Sequence, residues 1–424
     1  ILVAKRVTRK WARIRLHNYA IRRLVSLKLI FNYSIVYFYM ISIFLFPRLS
    51  GLFRVEDFLT PGLLVGALIS LNNRTFRYCI LPLVYFVYGF IITGVSVVFF
   101  ELPLQAYLIW GKEFQYILIF MIVINFPKDK VTRNFIHSLI IFMLLVASFS
   151  GIYLLVSGVR GYYGVGYFTE SSPSLGMLMY FHCLFWSVYF YKVYKNPIYL
   201  CSAVLFFILA ILVGSRTGQI ITIILSFSLL LLHSERKIYI LVLSLIFSIL
   251  VSINSGFIYE TLYHINTGNL AIDGGFSRLA TILKISETIQ GSRIVSWLSV
   301  VNQALDTNPI FGCGRGCSHI SGSTFSLGMG ADNQYTVNFL ELGVVGSFLF
   351  VLILVVILIN FYKDSFVFKL YLPYILAMVT AGMAMEVFQL SKGGSLFWFS
   401  TAMMFICQKE NFKGVYDTYN HSST

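Results

Sequence analysis

The chain has 424 residues, of which 58% are hydrophobic and only 12% are charged, and its formal net charge is +15. About a quarter of the residues of a soluble globular protein are charged, so this composition excludes a soluble fold. The basic excess does not indicate nucleic-acid binding. Nine of the 32 Lys and Arg residues lie between Lys5 and Lys28, and most others fall in short connections between apolar runs. There they would meet anionic lipid headgroups.

Apolar runs of the length that crosses a bilayer, about 20 residues, recur along the chain. They lie near 30–47, 56–72, 78–100, 104–126, 134–157, 174–193, 197–214, 218–233, 237–255, 334–361, 366–388 and 394–408. The sequence therefore predicts an all-α, polytopic membrane protein with about twelve transmembrane helices, of which the second and eighth are short.

Basic residues give the predicted orientation, because cytoplasmic loops carry an excess of Lys and Arg. With the basic segment 1–29 in the cytoplasm, every inner connection of the twelve-span arrangement is basic. The predicted organisation is then helices 1–9 in 30–255, a large outer loop in 256–333, helices 10–12 in 334–408 and a cytoplasmic tail in 409–424. Gaining or losing one span would invert half of these loops.

The predicted outer loop contains two helical patterns. Apolar residues between Arg278 and Ile289 recur at roughly helical spacing. After Gly291, Ser292 is a good N-cap for a second helix, which carries an amphipathic stripe. That stripe consists of Ile294, Trp297, Leu298, Val301 and Leu305. Such a helix lies on a membrane surface or packs over the mouth of a helix bundle.

Four outer arginines are candidate anion-binding residues. Arg216 lies in the tight hairpin 214–218, and Arg293 opens the amphipathic helix, where free backbone N–H groups favour anions. Arg160 belongs to a Gly- and Tyr-rich segment, 158–173, and Arg315 lies within the Gly-rich turn 312–316. The alternatives are that Arg216 extends to lipid headgroups and that Arg293 pairs with a lipid phosphate or with Glu287.

Polar residues continue where the loop re-enters the membrane. Asp332 and Asn333 precede the tenth predicted span, and Tyr335, Asn338 and Glu341 follow at spacings that bring them to one face of its first turns. Polar groups inside a membrane are costly, so they are candidates for function. Asp332 could instead serve only as a helix N-cap.

Two of the six cysteines, Cys313 and Cys317, lie in the outer loop. They either form a disulfide, as an oxidising compartment allows, or remain free thiols. Only His319 lies near them, whereas a zinc site takes four ligands, so no metal site is expected.

Three motifs in residues 210–350 resemble the bacterial O-antigen polymerase and O-antigen ligase group. The first is Ser215-Arg216-Thr217-Gly218. The second is Ser292-Arg293, followed by the Trp297 helix and by Pro309-Ile-Phe-Gly312-Cys-Gly314. The third is Asn333 followed by Gly343-x-x-Gly346. The ligase branch has a histidine where this chain has Asp332, and that departure favours a polymerase.

The resemblance implies metal-independent glycosyl transfer, without a cofactor, at the periplasmic face of the bacterial inner membrane. Both donor and acceptor would be undecaprenyl-diphosphate-linked glycan repeat units of O-antigen or a related surface polysaccharide, and a chain-length regulator protein is a possible partner. Arg216 and Arg293 would bind the diphosphate, assisted by Arg160 or Arg315. Asp332 would be the base, with Glu341 second, and Asn333 and Tyr335 would orient sugar.

Three alternatives remain open on the sequence alone. The first is an O-antigen ligase, which transfers finished glycan to the lipid A core. The second is a flippase for lipid-linked oligosaccharide, although flippases usually have two related halves, charges within the spans and short outer loops. The third is a membrane scaffold without chemistry, in which Arg216 and Arg293 would be dispensable.

Overall fold

The computed structural model describes most of the chain. The described residues are 26–45, 48–50, 53–99, 102–157, 173–213, 215–283, 293–318, 333–383, 387–388 and 391–407. Of the predicted site residues, Arg160 and Asp332 lie outside these ranges.

Helices dominate the described part of the chain. In order they are α1 (Ser26–Leu45), α2 (Thr60–Ser70), α3 (Asn73–Phe99), α4 (Ala106–Ile124), α5 (Lys130–Ser157), α6 (Pro173–Tyr194), α7 (Pro197–Val213), α8 (Arg216–His233), α9 (Lys237–Ile253), α10 (Ser255–Tyr263), α11 (Leu270–Leu283), α12 (Arg293–Thr307), α13 (Gln334–Tyr362), α14 (Ser365–Gly382) and α15 (Ser391–Ile406). A strand pair, β1 (Arg48–Ser50) with β2 (Phe53–Arg54), and a 3-10 helix, Val55–Leu59, lie between α1 and α2.

The protein is an all-α, multi-pass membrane protein. Within the described ranges, seven helices are long and apolar enough to cross a membrane: α1, α3, α4, α5, α8, α13 and α14. The pair α9 and α10, bent by 76°, would make an eighth. Each of the twelve predicted spans coincides with a helix, but the number twelve stays a prediction. The second predicted span contains only the 11-residue α2, about 16 Å long, which is too short to cross the roughly 30 Å hydrocarbon layer alone.

The short α2 nevertheless returns the chain to the side on which α1 begins. The amide of Asn32, near the start of α1, donates to the Ser70 hydroxyl at the end of α2 over 2.7 Å. The start of α2 lies deeper, because Gln115, halfway along α4, donates to Asp57 and Thr60. The chain thus re-enters the bundle before α2 starts.

Two helices show how burial differs within the bundle. Every described side chain from Gly393 to Cys407 is buried, so the short α15 is enclosed by protein and packs mainly on α4. By contrast, α9 has no buried residue although most of its side chains are apolar. A helix of that kind needs an apolar solvent, which here is lipid.

The predicted outer loop contains α10, α11 and α12. The helical pattern predicted from Arg278 belongs to α11, which begins eight residues earlier, and residues 284–292 lie outside the described ranges. The early start depends on Gly275, where a Cβ would lie 2.1 Å from the carbonyl oxygen of Leu212. Gln219 donates to the carbonyls of both Gly275 and Ile211, and so fixes α11 on the α7–α8 hairpin.

Candidate functional site

A break in α13 organises the candidate site. Gly343 has φ 64° and ψ −166°, which interrupts the helix two turns after its start. A residue with a side chain would be strained in this left-handed region. A Cβ at this position would also lie 2.3 Å from the carbonyl oxygen of Ile310. The glycine is therefore required both by its backbone angles and by the close approach of another segment.

That segment is the connection from Asn308 to Ser318, which we call the inserted loop. The carbonyls of Leu340 and Glu341 accept hydrogen bonds from Cys313 N and Gly314 N, over 3.0 and 2.8 Å. On the other side of the break, Val344 N and Val345 N donate to the carbonyls of Pro309 and Ile310, over 2.9 and 3.3 Å. The loop thus satisfies backbone groups that an unbroken helix would pair internally, as a broken membrane helix requires.

The inserted loop is closed by a disulfide between Cys313 and Cys317, so the pairing left open by the sequence is formed. Both cysteines are buried and pack with Val300 and Ala304 of α12 and with Leu340 of α13. The disulfide and these contacts attach α12 to the N-terminal part of α13.

Arg315 lies at the centre of the inserted loop and is only 1% exposed. Its Nε atom is 3.1 Å from Glu113 Oε2 on α4, and its Nη1 atom is 3.1 Å from Glu341 Oε2 on α13. Nη1 also donates to Asn338 Oδ1 over 2.8 Å, and Nη2 donates to the hydroxyl of Tyr85 on α3. One guanidinium therefore connects the loop to three helices.

The carboxylate of Glu341, like the guanidinium of Arg315, is held by several hydrogen bonds. Its Oε1 atom accepts from Gly316 N over 3.0 Å and from the Ser318 hydroxyl over 2.6 Å, while Oε2 accepts from Arg315. The side chain is 1% exposed. Both carboxylate oxygens of Glu341 are thus engaged by protein groups of the inserted loop.

Asn333 and Tyr335 shape the start of α13. The side chain of Asn333 caps the helix by accepting from Tyr335 N and Thr336 N, over 2.9 and 3.3 Å. The N-cap role considered for Asp332 thus belongs to its neighbour. The hydroxyl of Tyr335 donates to the carbonyl of Val379 over 2.7 Å, which joins the start of α13 to the end of α14.

Arg216 begins α8 and is exposed. Ser215 caps this helix through Gly218 N. The far end of α8, at His233, lies within electrostatic range of Lys369, near the start of α14. Since α8 and α14 pack against each other and the end of α8 lies near the start of α14, the two helices run antiparallel. Arg216, at the start of α8, therefore lies level with the end of α14 that Tyr335 contacts.

Arg293 is the first residue of α12, as predicted, and its side chain is not described. The buried face of this helix differs from the predicted stripe by about one position. Val300 and Ala304 are fully buried, whereas Leu298 and Leu305 are more than half exposed. The reason is that α12 packs on α13 and the cysteines through small side chains, and its larger apolar residues stay outside.

The sequence interpretation missed Glu113 and Tyr85. A signal for Glu113 was present, because Lys112 and Glu113 interrupt an otherwise apolar run, and a charge within a span needs a partner. Nothing in the sequence around Tyr85 distinguishes it from other aromatic residues of that run. The structure brings Arg315, Glu341, Asn338, Glu113 and Tyr85 together.

A second group of charged residues joins the segment before α2 to α4. Arg54 Nη1 is 3.7 Å from Glu56 Oε1, and Lys112 Nζ is 3.9 Å from Asp57 Oδ2. Since Lys112 and Glu113 are consecutive on α4, this helix carries one charge into each group. No cluster of three or more His, Cys, Asp or Glu side chains suited to a metal ion occurs among the described residues.

Comparison with known proteins supports one family. A family model described as O-antigen ligase matches residues 201–351, from α7 to the middle of α13. The match includes Arg216, Arg293, Arg315 and Glu341, whereas Glu113 precedes it. A search of curated proteins finds no match.

Proposed function

We propose that the chain, whose match over residues 201–351 supports a place in the O-antigen polymerase and ligase group, polymerises lipid-linked glycan repeat units. Donor and acceptor are undecaprenyl-diphosphate-linked oligosaccharides, and the reaction takes place at the outer face of the bacterial inner membrane. The basic inner connections support this orientation. It separates the site from cytoplasmic nucleotide sugars, so the lipid-linked donor must itself carry the leaving group.

The observation that carries this proposal is the convergence of the matched elements at one end of the bundle. Arg216 on α8 lies at the same level as the outer end of α14, which Tyr335 contacts. The inserted loop joins α12, which begins at Arg293, to α13. Elements that are far apart in sequence thus end on one side of the bundle, which supports a shared site there.

Each candidate residue has a specific task in this proposal. Arg216 and Arg293, with Arg160 assisting, bind the diphosphate, since guanidinium groups pair with phosphate oxygens in a bidentate manner. Asp332 accepts the proton of the acceptor hydroxyl, and Asn333 and Tyr335 position the sugar near it.

Arg315 and Glu341 take a different role from the one expected on the sequence alone. Each is buried and fully engaged by protein groups. We assign them to holding the inserted loop against α13, and so to positioning the outer mouth. Glu113 and Tyr85 belong to the same positioning group.

The proposed reaction balances without a metal. The acceptor oxygen forms a bond to the anomeric carbon of the donor sugar while the bond from that carbon to the diphosphate oxygen breaks. The electron pair leaves with the diphosphate, whose negative charge the arginines stabilise. The acceptor proton passes to the Asp332 carboxylate. Diphosphate is already a good leaving group, so no Lewis acid is needed in this scheme.

Ligation to the lipid A core is the second candidate, and the description of the matched family as O-antigen ligase favours it. The position that carries a histidine in the ligase branch is Asp332 here. We therefore place polymerisation first. Both reactions use the same donor and leaving group, and they differ in the acceptor.

Deletion of the gene separates these functions when the surface glycan is examined on a gel. Loss of a polymerase leaves single repeat units on the lipid A core, and the wild-type gene restores the ladder. If no glycan is attached after deletion, the protein is a ligase. If lipid-linked units accumulate on the cytoplasmic side, it is a flippase. An unchanged ladder would contradict all three.

A charge series at Arg293 tests the diphosphate role. Arg293→Lys keeps the charge but loses bidentate geometry, so shorter chains are expected, and Arg293→Ala is expected to give single repeat units. Lys237→Ala, an exposed cation at the start of α9, is the matched control and should keep the wild-type ladder. Wild-type ladders for both Arg293 variants would remove Arg293 from the mechanism.

A further inference from the structure

A groove lies at the end of the bundle opposite Arg216. It has a volume of about 530 Å³ and is bordered by α6, α7, α8 and the first turn of α9. Its walls are mostly apolar and include Leu184, Ala203, Val204, Phe207 and Leu229. The volume is within the range of ligand-binding pockets, roughly 300–1,000 Å³. Val204 and Leu230 of its lining are more than half exposed, so the groove is open along its side.

Positive charge collects at one end of this groove. Lys192 and His233 are part of its lining, and Lys195 and Lys369 lie within electrostatic range of His233. None of the described residues that line the groove is acidic. Glu235 is the nearest acidic residue in sequence, and it is exposed between His233 and two further cations, Arg236 and Lys237.

Two details of the backbone and side chains fit a polar ligand atom at this end. The Nε2 atom of His233 is buried and has no hydrogen-bond partner in the described part of the chain. Lys195 adopts φ 56°, a left-handed conformation that is uncommon for a residue with a side chain. It closes the tight turn that directs α7 back along α6, which places Lys195 beside Lys192.

We propose that this groove binds an anionic phospholipid. The headgroup phosphate interacts with Lys192 and His233, with Lys195 and Lys369 adding to the field, and an acyl chain lies between α6, α7 and α8. Basic pockets between membrane helices on the cytoplasmic side are typical sites for anionic headgroups. Charge at one end and apolar walls along the rest fit an amphiphile whose head lies at the membrane surface. They do not fit a soluble ligand or a uniformly apolar helix.

The headgroup is tested with the purified full-length protein in detergent, by native mass spectrometry with phosphatidylglycerol against phosphatidylcholine. Phosphatidylglycerol should be retained and should raise the melting temperature, and phosphatidylcholine should do neither. Each lysine near a membrane surface contributes an attraction that corresponds to about fivefold in affinity. We therefore expect Lys192→Gln and Lys369→Gln each to weaken phosphatidylglycerol retention by about that factor.

Lys237→Gln is the matched control, because Lys237 is exposed and is not part of the groove lining. It should retain phosphatidylglycerol like the wild type. Equal retention of the two lipids, or an equal loss in the Lys237 variant, would overturn the proposal. Recovery of a polyprenyl phosphate or of a second copy of the chain in place of phospholipid would also overturn it.

The acyl-chain part is tested with a bulky residue. Val204→Trp fills the groove from α7, while Ile208→Trp, one turn further along, adds the same bulk to an exposed site that does not line the groove. The first variant should lose phospholipid retention and the second should keep it. Because both sites face outward, both variants are expected to fold. Retention in the Val204 variant equal to that in the Ile208 variant would place the lipid elsewhere.

Discussion

Two arginines next to glycine-rich turns, Arg315 and Arg216, have opposite surroundings. Arg315 is buried between Glu113 and Glu341, and it also bonds Asn338 and Tyr85. Arg216 is exposed at the start of α8, and none of the ion pairs within the described ranges includes it.

The burial of Arg315 and the exposure of Arg216 distinguish an arginine that stabilises the fold from one that can bind a ligand. The charge of Arg315 is already neutralised, so a diphosphate would have to displace two carboxylates to reach it. Among the described residues no carboxylate pairs with Arg216, and the N-terminus of α8 adds to its attraction for anions. Removing the buried arginine should damage the fold, and removing the exposed one should damage only the reaction.

The largest expected effect on stability comes from Arg315→Ala. It leaves Glu113 and Glu341 buried without their cation, and removing one partner of a buried ion pair costs about 3–5 kcal/mol. Thermal unfolding of the purified protein in detergent, together with its amount in the membrane, measures this. Arg236→Ala, at an exposed arginine between α8 and α9, is the control. An unchanged melting temperature for Arg315→Ala would contradict its structural role.

Gly343→Ala tests the break in α13. The left-handed backbone costs a residue with a side chain about 1–3 kcal/mol. Retreat of Ile310 from the new Cβ also loses a hydrogen bond, which is worth about 1 kcal/mol. We expect a loss of about 2–4 kcal/mol in the free energy of unfolding, together with shorter glycan chains.

Gly111→Ala is the matched control, since a Cβ there meets nothing within 4 Å inside the regular helix α4. That change should be neutral or slightly stabilising, by up to about 1 kcal/mol. Equal behaviour of the two alanine variants would mean that the kink is not required.

The disulfide gives a smaller effect because it closes a very short loop. For the double variant Cys313→Ser and Cys317→Ser we expect a loss of about 2 kcal/mol in unfolding free energy. A reductant should shift the wild-type melting temperature in the same direction. Cys201→Ser, at an exposed free cysteine in α7, should change neither. If the double variant melts like the wild type, the disulfide does not contribute to stability.

The helices were predictable from the sequence, because long apolar runs leave few alternatives in a membrane. Arg315 and Glu341 were identified as special, but their pairing was not, since it depends on the loop folding back against the break at Gly343. Glu113 contributes from a helix about 200 positions earlier in the chain, and no local pattern connects it to that loop. The buried face of α12 was misjudged because small residues, Val300 and Ala304, make the contact.

The most direct measurement compares the glycan ladders of Arg216→Ala and Arg236→Ala in the deletion strain, with membrane amounts of the two proteins matched. The Arg216 variant should keep its stability within about 0.5 kcal/mol, as expected of an exposed site. It should nevertheless lose the ladder and leave single repeat units on the lipid A core, because loss of a charge-stabilising donor slows such reactions about 10²–10³-fold. The Arg236 variant should give the wild-type ladder. A full ladder from the Arg216 variant would contradict the proposed diphosphate site.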